Sequence, residues 1–133
     1  MEREIRFDFP ADIDHVVDVR EALRKVCDRM GFTPHDASLV VTAVWEATLN
    51  AATHGSPRGK NDSVQVKITE NEDSLCVDIT SQDPAFDLPT DRPIFDPNSK
   101  RGRGLPIIYA FIDEVTLTRN ADSVTLHLVK RLS

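Results

Sequence analysis

A chain of 133 residues, 40% apolar and 29% charged, is large enough to bury a core without cross-links and has the balance of an ordinary globular protein. Its net charge of −6 offers no general attraction to nucleic acid or to an anionic membrane surface. No apolar run nears the ~18 residues of a membrane span, and the N-terminus lacks a signal-peptide core, so a single domain over residues 1–133 in the cytoplasm is expected.

Taken in order, Ile5, Phe7 and Phe9 alternate with Arg6 and Asp8, the period of a half-buried strand that Pro10 ends. From about Asp12 to Met30, Ile13, Val16, Val19, Leu23, Val26 and Met30 recur at helical steps, and Gly31 closes the helix. A second helix starts at Thr33, with Pro34 at its first position and Asp36 three residues after the cap. It runs through Ala37, Val40, Ala43, Val44 and Ala47 to a stop at Gly55-Ser56-Pro57.

Two runs, Val64/Val66/Ile68 and Leu75/Val77/Ile79, then alternate with polar residues across a turn at Asn71-Glu72-Asp73, which predicts a hairpin. Residues 81–101 have no period and hold four of the eight prolines, the composition of a lid or binding loop. A short helix is predicted from Gly102 through Ile112, followed by a closing hairpin of Val115/Leu117 against Val124/Leu126/Leu128. Each strand has one apolar and one polar face. That pattern predicts an α+β fold, a two-layer sandwich whose mostly antiparallel or mixed sheet carries helices on one face only. Cys27 and Cys76 have no metal-ligand spacing and read as ordinary thiols.

Two clusters stand out as chemistry. Glu46, Asn50 and His54 follow one another at four-residue steps and project from one side of the second helix, where a carboxylate and a carboxamide are costly to bury without partners. Arg101-Gly102-Arg103-Gly104-Leu105 joins the long loop to the short helix. Glycines there let backbone amides approach an anion, the helix dipole favours negative charge, and Lys100, Arg101 and Arg103 add cations.

Glu46-x-x-x-Asn50-Ala51-x-x-His54-Gly55 followed at this distance by Gly102-Arg103-Gly104-Leu105 resembles the GHKL ATPase/kinase superfamily with its Bergerat ATP-binding fold, and within it the bacterial anti-sigma-factor serine kinases. The resemblance spans nearly the whole chain. It implies that Asn50 holds Mg²⁺ against the triphosphate of ATP, that Glu46 is the general base, and that Arg101, Gly102, Arg103, Gly104 and Leu105 form the phosphate-binding segment, with residues 81–101 as the lid. His54 takes a packing role. The implied partners are a sigma factor and a small antagonist protein that is phosphorylated, with homodimerisation possible.

The departures fall on the adenine side. Where the family has Asp-x-Gly-x-x-Phe-Asp, this chain has Ser81-Gln82-Asp83-Pro84-Ala85-Phe86-Asp87, so the adenine contact passes to Ser81, or to Asp83 after a local shift. If the strand stays extended, both face the pocket. The family's Gly-Thr on the last strand is Ser123-Val124, with Thr125 one position late. A non-catalytic, nucleotide-weak interaction module of the same fold is therefore the alternative function.

Overall fold

The computed structural model describes residues 2–53, 55–83, 108 and 110–132. Five strands form one sheet: β1 (Arg3–Pro10), β2 (Ser63–Glu70), β3 (Ser74–Ser81), β4 (Glu114–Arg119) and β5 (Val124–Arg131), in spatial order β1-β2-β3-β5-β4. Every neighbouring pair is antiparallel, so the parallel pairing left open by the strand pattern is absent among the described strands. Two helices, α1 (Ile13–Met30) and α2 (Pro34–Thr53), connect β1 to β2 and pack on one face.

The register explains the layering. Ile5, Ile68, Val77, Leu128 and Val115 are successive partners across all five strands, and Phe7, Val66, Ile79, Leu126 and Leu117 form a second such row. Because side chains alternate at every residue, a shift by one would turn both rows out to water. These rows meet Leu23, Val26, Val40 and Val44 of the helices in one core. The residues between them, among them Arg6, Lys67, Asp78 and His127, belong to the uncovered polar face.

Local chemistry sets the helix ends. Asp12 caps α1 by accepting from the Asp14 N–H at 2.9 Å, and Thr33 Oγ1 accepts from the Asp36 N–H at 3.1 Å at the start of α2. At the far end of α1, Gly31 adopts φ 90°, a conformation that costs an L side chain about 1–2 kcal/mol, and its N–H returns to the Asp28 carbonyl. Between the helices, the Arg20 guanidinium lies 4.7 Å from the centre of the Trp45 ring. Arg29 clamps α1 to β2 through Glu70, whose carboxyl is held below its usual range by that guanidinium.

Of the predicted third helix, Ile108, Ala110 and Phe111 are helical, and the Ile112 N–H bonds the Ile108 carbonyl at 3.0 Å. The rest of that segment lies outside the described residues. No helix among the described residues is long and apolar enough to cross a membrane.

Candidate functional site

The site begins with the small residues of α2. Ala43, Ala47 and Ala51 recur every four residues and are buried, which lets the helix approach the sheet closely. Ala47 and Ala51 face Ile79 and Ser81 of β3 and Leu126 and Val124 of β5 across a hollow of about 10 Å³, completed by Leu117. That is room for about one water, and a lining with a single polar side chain would keep it dry.

Glu46 and Asn50 each stand one position before these alanines, about 100° around the helix and about 6 Å apart along it. Both are half-buried at the edge of the helix–sheet layer. Neither the carboxylate nor the carboxamide has a hydrogen-bond or ion-pair partner among the described residues, whereas Arg29 of α1 and Glu70 of β2 pair with each other. Partly desolvated polar groups without partners are costly, and a ligand would offset that cost.

Ser81 ends the apolar row on β3. It is 3% exposed, sits opposite Val124 in the register, and its hydroxyl has no hydrogen-bond partner among the described residues. Gly55 lies directly above it: a Cβ built on Gly55 would stand 2.6 Å from Ser81 Oγ and 3.0 Å from the Ala51 carbonyl oxygen. The close approach of the chain after α2 to the end of β3 therefore requires glycine. The Gly55 N–H donates to the Asn50 carbonyl at 3.0 Å and Ser56 Oγ to the Ala51 carbonyl at 2.8 Å, bonds that close α2, whose last residue is Thr53.

Asp83 is half-buried beyond the end of β3, so the strand alternation that would align it with Ser81 stops at Ser81. Gln82 instead turns its Oε1 to accept the Ser63 N–H at 2.6 Å. Structure thus brings Ser81 together with the stretch of α2 that carries Glu46 and Asn50. His54 and Arg101, Gly102, Arg103, Gly104 and Leu105 lie outside the described residues, as does most of the lid at 81–101.

The loop after α2 is fixed by Asp62, which is 1% exposed. Its carboxylate accepts from the Arg58 N–H at 2.7 Å and from the Arg58 guanidinium at 2.7 Å. The backbone N–H of Arg58 foremost, then its guanidinium, holds the Asp62 carboxyl below the usual aspartate value of 3.8 despite burial. A depressed carboxyl adds stability above its unfolded value and loses it as pH falls through the folded one. Thermal melts should show Asp62→Asn less stable than wild type by a constant margin at neutral pH, with the gap closing below pH 3.8.

Sequence reading expected an uncovered, polar sheet face but singled out no residues on it. There a hollow of about 440 Å³ is lined by residues including Arg6, Lys67, Asp78 and His127. His127 Nδ1 lies 2.6 Å from Asp78 Oδ1, where the carboxylate can only accept, and His127 Nε2 lies 2.9 Å from the Thr118 hydroxyl. Lys67 Nζ lies 3.6 Å from Asp78 Oδ2. Polar residues at every second strand position carry the signal, but only cross-strand register reveals that these particular ones meet. Both cysteines are free thiols, and burial foremost pushes Cys27 up to about 11, which makes it unreactive. No metal-binding cluster of His, Cys, Asp or Glu occurs among the described residues.

An all-antiparallel five-stranded sheet carrying a helix hairpin on one face is an α+β, two-layer fold. The chain belongs to the histidine kinase-like ATPase domain family, which it matches over residues 9–130. It is 30% identical to the serine-protein kinase RsbW of Bacillus subtilis (strain 168), covering 97% of this chain and 86% of that protein. The RsbW of Bacillus velezensis is 31% identical over the same shares. Among solved structures, the fold is shared with a chain of the SiaB–SiaC complex of Pseudomonas aeruginosa (TM-score 0.67, 19% identity, 96% of this chain and 89% of that one). It is shared too with the RsbU and RsbW domains of Rv1364c from Mycobacterium tuberculosis (TM-score 0.66, 20% identity), where 98% of this chain aligns with 32% of the longer one.

Proposed function

We propose that this chain is a cytoplasmic, ATP-dependent serine/threonine protein kinase of the anti-sigma-factor type, a single domain that phosphorylates a small antagonist protein and captures a sigma factor in a partner-switching pathway. Membership of the histidine kinase-like ATPase family and about 30% identity to proteins named serine-protein kinase RsbW support this reading. The observation that carries it is the half-buried pair Glu46 and Asn50, one helical turn apart and without partners among the described residues.

In this reading Glu46 accepts the proton of the substrate hydroxyl as its oxygen forms a bond to the γ-phosphorus, while the bridging oxygen–phosphorus bond breaks and ADP departs. The Asn50 carboxamide offers an oxygen ligand. An oxygen donor suits Mg²⁺, which keeps several waters and relies on substrate phosphates for the rest of its shell. Bound there, Mg²⁺ would neutralise charge on the triphosphate. Arg101, Gly102, Arg103, Gly104 and Leu105 would receive the phosphates, and Ser81 or Asp83 the base. The uncovered sheet face, with balanced charges such as Arg6, Lys67, Asp8 and Asp78, is the surface proposed for homodimerisation.

The test is transfer of labelled γ-phosphate from Mg·ATP to the antagonist protein. Serine phosphorylation supports the proposal. Binding of the antagonist or sigma factor without any transfer favours the second reading, a nucleotide-weak interaction module. Two observations speak for that alternative: the hollow beside Ser81 has room for about one water rather than a base, and Val124 presents no polar group.

A further inference from the structure

Among the described residues two large apolar side chains are exposed, Ile13 at 52% and Val17 at 37%. They stand one turn apart on α1, and Arg20 and Arg24 continue the same stripe for about 16 Å along the helix. Arg20 lies 4.7 Å from the centre of the Trp45 ring, which puts the stripe on the flank of α1 beside α2. Asp14, Asp18 and Glu21 each follow a stripe residue by one position, about 100° further round the helix. The stripe itself therefore carries two cations and no acid, in a chain of net charge −6. Arg20 keeps a loose contact with Glu21 at 3.9 Å, and Arg24 has no ion-pair partner among the described residues.

Helical geometry carries this surface on toward the candidate site. On α2 the half-buried Leu49 stands one turn after Trp45, and Glu46 stands about 100° round from Trp45, across the outward ridge of the helix. On a helix about 10–12 Å in diameter that rotation spans about 10 Å. A protein interface covers about 800 Å² on each partner, a patch about 30 Å across, so one protein seated on the stripe also reaches Glu46.

We propose that Ile13, Val17, Arg20 and Arg24 form the docking surface for the phosphoacceptor protein, which meets them with an apolar patch bordered by carboxylates. This rests on the reading that Glu46 serves a hydroxyl of a protein substrate. Aliphatic contact supplies the buried area, and the complementary charges set orientation and exclude basic partners.

The experiment measures phosphate transfer from Mg·ATP across a range of antagonist-protein concentrations, for the full wild-type chain, for Ile13→Asp/Val17→Asp and for Arg24→Glu. All three positions are exposed and the two aspartates fall near the start of α1, where acids are tolerated, so the fold is kept while an acidic partner is repelled. KM for the antagonist should rise at least about tenfold in the double variant and about three- to tenfold in Arg24→Glu, with kcat and the affinity for Mg·ATP unchanged. Added salt should raise the wild-type KM and affect Arg24→Glu less. Unchanged KM in both variants would overturn the inference. So would variants that lose the sigma factor yet phosphorylate the antagonist normally, since the surface would then belong to that other partner. Absence of transfer by the wild type would count against the kinase reading alone. Calorimetric binding of the antagonist then decides the surface: weaker binding by the variants upholds it, and equal binding overturns it.

Discussion

Asn50→Ala is expected to abolish Mg²⁺-dependent nucleotide binding, whereas Glu46→Gln leaves binding within a few-fold of wild type and lowers phosphoryl transfer by about 10²- to 10⁴-fold, the usual contribution of a positioned base. The two residues sit one turn apart on the same edge of α2, yet the proposal gives them separable jobs. A carboxamide can ligate a cation but cannot take a proton at neutral pH, and a carboxylate beside the reacting hydroxyl can. Both half-buried side chains lack partners among the described residues, so truncation removes no native hydrogen bond there and the fold should survive each change. Equal loss of binding in both variants would merge the two roles; undiminished transfer in both would refute them. Calorimetry and a single-turnover transfer assay read the two quantities independently.

Gly55→Ala is expected to destabilise the protein by about 1–3 kcal/mol and to weaken nucleotide binding as well. The added methyl would stand 2.6 Å from Ser81 Oγ, 2.8 Å from Ser81 Cβ and 3.0 Å from the Ala51 carbonyl, so either the end of β3 or the turn after α2 must move. Gly31, just before α2, provides the control: its φ of 90° makes Gly31→Ala strained, but no atom lies within 4 Å of the new methyl. That variant should lose about 1 kcal/mol with no change in nucleotide affinity, because α2, 20 residues and about 30 Å long, separates it from the site. Urea denaturation of both variants and nucleotide titration of each separate the effect on stability from the effect on the site.

Much of this architecture was legible because it follows from period and punctuation. The alternation of Ile5, Phe7 and Phe9 gave β1, and the twin runs around Asn71-Glu72-Asp73 gave the β2–β3 hairpin, whose turn closes with the Asn71 N–H on the Ser74 carbonyl. Gly31 and Thr33 marked the ends of α1 and the start of α2 to within a residue. The family, too, could be read from the order and spacing of the Glu46/Asn50 and Gly102/Gly104 clusters, and the match over residues 9–130 bears it out.

What periodicity could not supply was register and approach. Whether the sheet held a parallel pair depended on strand order, and the order β1-β2-β3-β5-β4 makes every neighbour antiparallel. Nothing in the sequence announced that Gly55 touches Ser81, since glycine after a helix is already explained by termination. The Lys67–Asp78–His127–Thr118 contacts span four strands and exist only once those strands are aligned. Strand parity suggested that Ser81 and Asp83 share a side, but β3 ends at Ser81, where Gln82 bonds Ser63 instead. The phosphate-binding role of Arg101, Gly102, Arg103, Gly104 and Leu105 rests on the family pattern alone.

Titration of the wild-type chain with ATP in the presence and absence of Mg²⁺ tests the central claim most directly, that the free acid and amide of α2 form one half of a nucleotide site. Saturable binding that strengthens with Mg²⁺ and loses that enhancement in Asn50→Ala is the predicted result. Binding indifferent to Mg²⁺ and to Asn50, or no binding at millimolar ATP, would contradict it.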